Sequence, residues 1–194
     1  MLNSFKMKIV RKNINIIKNG ETSFDALQGA TLMRFGSSDS DTTSSVYMYK
    51  SSLTYYFSGS VTFLFTKNNR YILLQIKIRR DFTYFSEGDW DITASFSSLE
   101  NSKHIVSQYY KSRSFPQLNH FVQTLETIES IEMHKSVKRF IDDENPSASI
   151  SVESESSVIL YCKDEKIIHI EGNSNSDGVV IRFFQKGENE NAIE

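Results

Sequence analysis

The stretch LNHFVQTLETIESIEMHKSVKRFI, residues 118–141, decides how this 194-residue chain is read. Leu118, Phe121, Val122, Leu125 and Ile128 recur at i, i+3, i+4, i+7 and i+10, and Val137, Phe140 and Ile141 extend the stripe. At 3.6 residues per turn these positions share one helical face. Pro116 suits the first turn of such a helix, where its missing N–H costs nothing. The segment 142–147, with Asn145-Pro146, ends it. Just upstream, Leu99 to Lys111, with Val106, Tyr109 and Tyr110, reads as a shorter helix joined to the first near 113–116.

On either side of this pair the pattern is that of strands. Val46 to Phe96 is rich in Tyr, Phe, Ile, Val and Thr, which suit a half-buried pleated surface. Within it, Val61, Phe63 and Phe65 alternate with Thr62, Leu64 and Thr66, Lys67-Asn68-Asn69-Arg70 turns the chain, and Ile72, Leu74, Ile76 and Ile78 share a face. An antiparallel hairpin follows from that alternation. A third strand runs from about Trp90 to Phe96. Nearer the N-terminus, 6–17 reads as a strand ending at Lys18-Asn19-Gly20-Glu21, a strong turn signal. Phe24 to Phe35 is a weaker element, open between helix and strand, and 36–45 is a polar loop. After residue 148, runs at 149–152, 157–163, 166–171 and 178–185 form a β meander. The fold class expected is therefore α+β: an N-terminal antiparallel sheet, two central helices and a C-terminal β meander. They form one domain over 1–185, followed by an acidic flexible tail at 186–194.

Composition narrows the function. The longest apolar run, Val158 to Cys162, is far short of the roughly 20 residues that cross a hydrocarbon core, so no membrane partner is expected. Residues 1–20 carry five cations among their apolar groups and lack the apolar stretch of a secretory signal. A single cysteine excludes an internal disulfide. The sole Asn-x-Ser/Thr match, Asn145-Pro-Ser, is disqualified by its proline, and a reducing, cytoplasmic compartment fits. The net charge of -2 conceals a division: residues 1–80 carry +8 and residues 81–194 carry -10. Two such halves either attract each other within one fold or present opposite fields to partners.

Motifs for catalysis are missing. There is no G-x-S-x-G, no P-loop, no G-x-G-x-x-G and no H-E-x-x-H, and eight glycines leave little material for a phosphate-cradling loop. His104, His120, His134 and His169 lack metal-ligand spacing, and neither metal nor cofactor is expected. Cys162 and His169 flank the turn Lys163-Asp164-Glu165, so a hairpin register could pair them as a nucleophile and base. More commonly such a strand cysteine is a small buried apolar group.

Two surfaces remain as candidates. The acidic segments Glu87, Asp89, Trp90, Asp91, then Asp142, Asp143, Glu144, then Glu153, Glu155, would steer a protein with a basic surface. That makes the chain a non-enzymatic intracellular binding protein: an inhibitor, an immunity-type protein or an adaptor subunit. Alternatively Lys50, Tyr55, Arg70, Tyr71, Lys77, Arg79 and Arg80 would form a basic aromatic sheet face for single-stranded nucleic acid, neutralising phosphates and stacking bases. A further alternative is a pocket between sheet and helices for a small apolar ligand.

Overall fold

The computed structural model describes residues 7–19, 23–37, 44–49, 52–85, 88–99, 121–174 and 177–187. Twelve strands make up almost all of it: β1 Lys8–Lys12, β2 Asn15–Asn19, β3 Thr31–Gly36, β4 Ser44–Tyr49, β5 Ser52–Ser58, β6 Val61–Lys67, β7 Arg70–Asp81, β8 Asp89–Leu99, β9 Phe121–Phe140, β10 Ile150–Cys162, β11 Lys166–Gly172 and β12 Gly178–Gln185. Short 3-10 turns at Phe24–Leu27, Pro146–Ala148 and Lys163–Glu165 are the only helical pieces among the described residues. The strand order is β2-β8-β7-β6-β3-β9-β10-β11-β12-β5-β4, with β1 on the side of β10. All pairings are antiparallel except β1 with β10 and β2 with β8.

The α+β expectation is therefore overturned: residues 121–140 form one long strand, not a helix. The 99–111 helix lies outside the described residues but for Leu99, which ends β8. The reason for the misreading is local. Residues 121–127 of β9 pair with β3, whereas 128–140 pair with β10. Cys162 sits opposite Ile128 and Tyr161 opposite Ser130, so Glu129 is an inserted bulge residue. A bulge reverses which side chains face inward. Val122 and Ile128 face the core before it, and Ile131 and Met133 after it, so the inward set steps by three at the bulge and imitates a helical interval. Of the rest of the apparent stripe, Leu125, Val137, Phe140 and Ile141 are exposed, and Leu118 lies outside the described residues.

In β6 the alternation holds. The β6–β7 hairpin turns at Asn68 and Asn69, both with positive φ (49° and 59°), as a tight hairpin turn requires. The two runs expected at 149–152 and 157–163 are one strand, β10, which continues through Glu153-Ser154-Glu155 with Ser156 as a second bulge.

Because β9 changes partner midway, the sheet doubles over and its two halves stack face to face. Phe35 on β3 meets Tyr55, Phe57 and Phe183 of the opposing half at centroid distances of 5.1, 6.2 and 5.3 Å. Gly172 on β11 lies against Trp90 on β8 so closely that a Cβ would stand 2.5 Å from the indole. The N-terminal segment closes the other side. β1 lies beside β10 and β2 beside β8, with only Asn13 and the buried Ile14 between them.

A helix over 118–141 would bury Leu125 and Ile128 together, but β9 leaves Leu125 67% exposed and Ile128 0%. In urea unfolding, Ile128→Ala is expected to cost about 2–5 kcal/mol, and Leu125→Ala to stay within about 0.5 kcal/mol. Equal losses at the two positions would contradict the strand.

Candidate functional site

Several of the acidic residues hold the N-terminal strands. Lys12 on β1 reaches both Asp81 and Asp91 at 2.7 Å. Desolvation works against the charged ammonium, yet those hydrogen bonds and charges raise its pKa. In return the hydrogen bond from Lys12, with a second from Thr83, pulls the Asp81 carboxyl down to about 2. Arg11 pairs with Glu153 at 3.0 Å, and the Ile14 N–H donates to Glu155 at 2.7 Å. Basic and acidic halves thus meet within the fold.

Asp89 is buried. Its Oδ1 accepts from Ser154 at 3.4 Å and lies 3.8 Å from the Lys138 ammonium, while Oδ2 has no partner. Lys138 itself donates to the Gly88 carbonyl at 2.6 Å. Trp90 packs beneath Gly172 with the Arg80 guanidinium 5.3 Å from its ring. Asp142 accepts from the N–H groups of Glu144 and Asn145 in its own turn, leaving Asp143 and Glu144 exposed. Glu87 lies outside the described residues. The structure therefore gathers Asp91, Glu153 and Glu155 at the β1–β2 segment, places Asp89 against Ser154 and Trp90 beneath Gly172, and leaves Asp142 to Glu144 at a separate turn.

The basic aromatic set is dispersed. Tyr55 is half-buried against Phe35 and Phe183, in the half of the sheet opposite β7. Lys77 and Arg79 project from β7 to the outside, Arg79 across from Asp91 in register; Arg70 is exposed at the hairpin turn and Tyr71 half-buried beside it. Arg80 donates to the Ser174 carbonyl at 2.7 Å, and its backbone N–H to Asp177 at 3.0 Å. Lys50 lies outside the described residues.

Cys162 and His169 occupy opposite faces of their hairpin. His169 sits across from Ile159, and Cys162 points into the main core with Val158 and Leu160. Burial, followed by the charge of Glu126, pushes the thiol up to about 12, far from a thiolate. His169 instead meets Ser157 at 2.8 Å through Nε2. Both are sealed from solvent, and Glu171 approaches the same nitrogen, at 3.8 Å, leaving Nδ1 without a partner. This is a buried polar contact in which no third group orients the base. Among the described residues no cluster of His, Cys, Asp and Glu could hold a metal. No helix among them is long and apolar enough to cross a membrane.

Two features were not read from the sequence. One is β4, the terminal strand of the order: Val46, Tyr47, Met48 and Tyr49 are 57, 65, 76 and 68% exposed, and the strand carries no charge. The run VYMY is visible in the sequence, but four apolar residues in a row read equally well as a buried strand. The other is a cleft of about 250 Å³ where the halves part beside β5, lined by Leu53, Tyr55, Val122, Thr124 and Phe183, with the Glu126–Lys166 ion pair (2.9 Å) and Gln185 at its rim. Residues from β5, β9, β11 and β12 meet there only through tertiary folding.

Burial, then the charges of Arg182 and His134, lower His169 to about 4 from its usual 6.5. The unfolded chain therefore takes up the proton first, and stability falls as pH drops from about 6.5 to about 4, by up to about 3 kcal/mol. Asp81 acts in a separate window, its contribution being lost only below pH 4 as the folded carboxyl titrates near 2. Urea unfolding at stepped pH is expected to show the upper slope in the native chain and its removal in His169→Gln. A slope unchanged in that variant would assign it to other groups.

No known family model matches the chain, and no curated protein or solved structure matches it either.

Proposed function

We propose that this chain is a non-enzymatic, intracellular protein-binding protein, of the inhibitor, immunity-type or adaptor kind, acting in a reducing cytoplasm. The observation that carries this reading is β4. A terminal strand presents a row of backbone donors and acceptors that a second chain can extend, and proteins ordinarily blunt such an edge with charge, proline or a cover. β4 has neither charge nor proline, and its large side chains point to solvent on both faces. Among the described residues no strand pairs with its second edge. Strand addition supplies affinity through main-chain hydrogen bonds and specificity through alternate side chains, here Tyr47 on one face, Val46 and Met48 on the other.

The acidic segments take a reduced part in this reading. Asp81, Asp91, Glu153 and Glu155 are engaged by the N-terminal strands, so Asp143 and Glu144 are left to steer a basic partner, an effect on association rate more than on affinity.

The test is a tagged pull-down from the source cell with the native chain and with Val46→Lys/Met48→Lys, which charges the edge at two exposed positions. One stoichiometric protein is expected with the native chain and at least a tenfold lower recovery with the variant, at unchanged melting temperature. Equal recovery with both, or no protein partner at low salt, overturns the proposal.

A further inference from the structure

The cleft beside β5 is chemically distinct from the β4 edge and does not depend on the protein-binding reading. Its floor is apolar, made by Leu53, Val122 and Phe183, with Tyr55 along one wall. At the rim stand two opposite charges in contact, the Glu126 carboxylate and the Lys166 ammonium. Their exposures differ: the Glu126 side chain is 15% accessible and that of Lys166 46%. The pair is therefore open to solvent on the ammonium side and partly enclosed on the carboxylate side. Hydrogen-bond capacity remains after they pair, because an ammonium has three donors and a carboxylate about four acceptor sites. Thr124 and Tyr55 add hydroxyls, and desolvation raises the pKa of Tyr55, which keeps it an O–H donor.

We infer that this cleft binds a free α-amino acid with an apolar side chain, its carboxylate on Lys166, its ammonium on Glu126 and its side chain on the Leu53–Val122–Phe183 floor. The size agrees: a cleft of about 250 Å³ gives room for one amino acid. The charge pattern agrees as well. A ligand with one charge would satisfy one member of the pair and be repelled by the other, whereas a zwitterion matches both in reciprocal order. An uncharged apolar molecule would fill the floor and leave the rim groups with only each other. Gln185 is fixed nearby, its Nε2 donating to the Asp164 carbonyl at 2.6 Å, so its carbonyl oxygen is the atom left to accept from the ligand ammonium.

The experiment is a titration of the native chain with leucine, 4-methylpentanoate and isoamylamine, followed by backbone amide shifts and by calorimetry. 4-Methylpentanoate is leucine without the ammonium and isoamylamine is leucine without the carboxylate, and all three keep the same branched isobutyl side chain on the carbon that bears the charge. Leucine is expected to bind saturably with Kd at or below about 1 mM, each one-charge analogue at least tenfold more weakly, with shifts confined to the parts of β5, β9, β11 and β12 around the cleft. Glu126→Gln and Lys166→Met should each reduce leucine binding at least tenfold. Neither should unfold the chain, since a rim ion pair contributes little to stability. The inference is overturned if neither leucine nor phenylalanine binds saturably up to about 10 mM. It is equally overturned if the analogues bind as well as leucine, or if both variants retain the native affinity.

Discussion

The architecture depends on one change of partner in the backbone. At Thr127–Ile128, β9 leaves β3 and takes up β10, and neither neighbour spans the junction. A strand with no ladder at such a point would expose unpaired peptide groups to the interior, which is costly. The exit from the first 3-10 turn supplies the missing bonds: Ile128 N–H donates to the Ala30 carbonyl at 2.8 Å, and Gly29 N–H donates to the Ile128 carbonyl at 2.7 Å. Gly29 has φ +75°, a conformation glycine adopts without steric cost. With those two bonds in place the strand can turn from one half of the sheet to the other, and the Glu129 bulge resets its parity so that both segments direct apolar side chains into one core.

Charge works with that geometry. The side of the sandwich away from the β9 switch is held by the β1–β2 segment, whose cations and peptide N–H are received by Asp81, Asp91, Glu153 and Glu155. Lys12 and Asp81 are largely withdrawn from solvent, so screening by salt weakens them less than it weakens a surface pair. The polar residues inside are mostly paired as well: Ser136 with Ser154 at 3.0 Å, Ser157 with His169 at 2.8 Å. Asp89 Oδ2 and His169 Nδ1 are exceptions, and a buried polar atom without a partner costs more than a hydrogen bond gains.

Much of the sheet was legible in the sequence because period-two alternation is a direct record of burial. Val61, Phe63 and Phe65 with Ile72, Leu74, Ile76 and Ile78 announced β6 and β7, and Asn68-Asn69 announced their turn. Residues 118–141 misled for a physical reason: a bulge changes the phase of the pattern, and exposed Leu125, Val137 and Phe140 supplied the rest of a false helical face. Propensity carried a weaker, correct signal, since Thr124, Thr127, Ile128, Ile131 and Val137 are β-branched. Of the candidate residues, the acidic ones were conspicuous by type, yet their task could not be read. Whether Asp91 faces a partner or Lys12 depends on contacts between positions far apart in the chain. The cleft was illegible for the same reason, its lining coming from four separate strands.

The clasp between β1 and β10 also has a temporal side. Arg11 and Glu153 are 142 residues apart, and at synthesis rates of roughly 5–20 residues per second the first strand waits about 7–28 s before its neighbour exists. Throughout that interval Ile9 lacks its neighbour Ser151, while Ile16 and Ile17 on β2 can meet β8 once residues 94 and 95 are made. On reaching their sites these isoleucines remain among the more accessible apolar groups of the finished molecule. Assembly is therefore governed by long-range closure, the slowest class of pairing for a chain of this size. The β1 segment can join the body of the protein only after residue 154 has been synthesised.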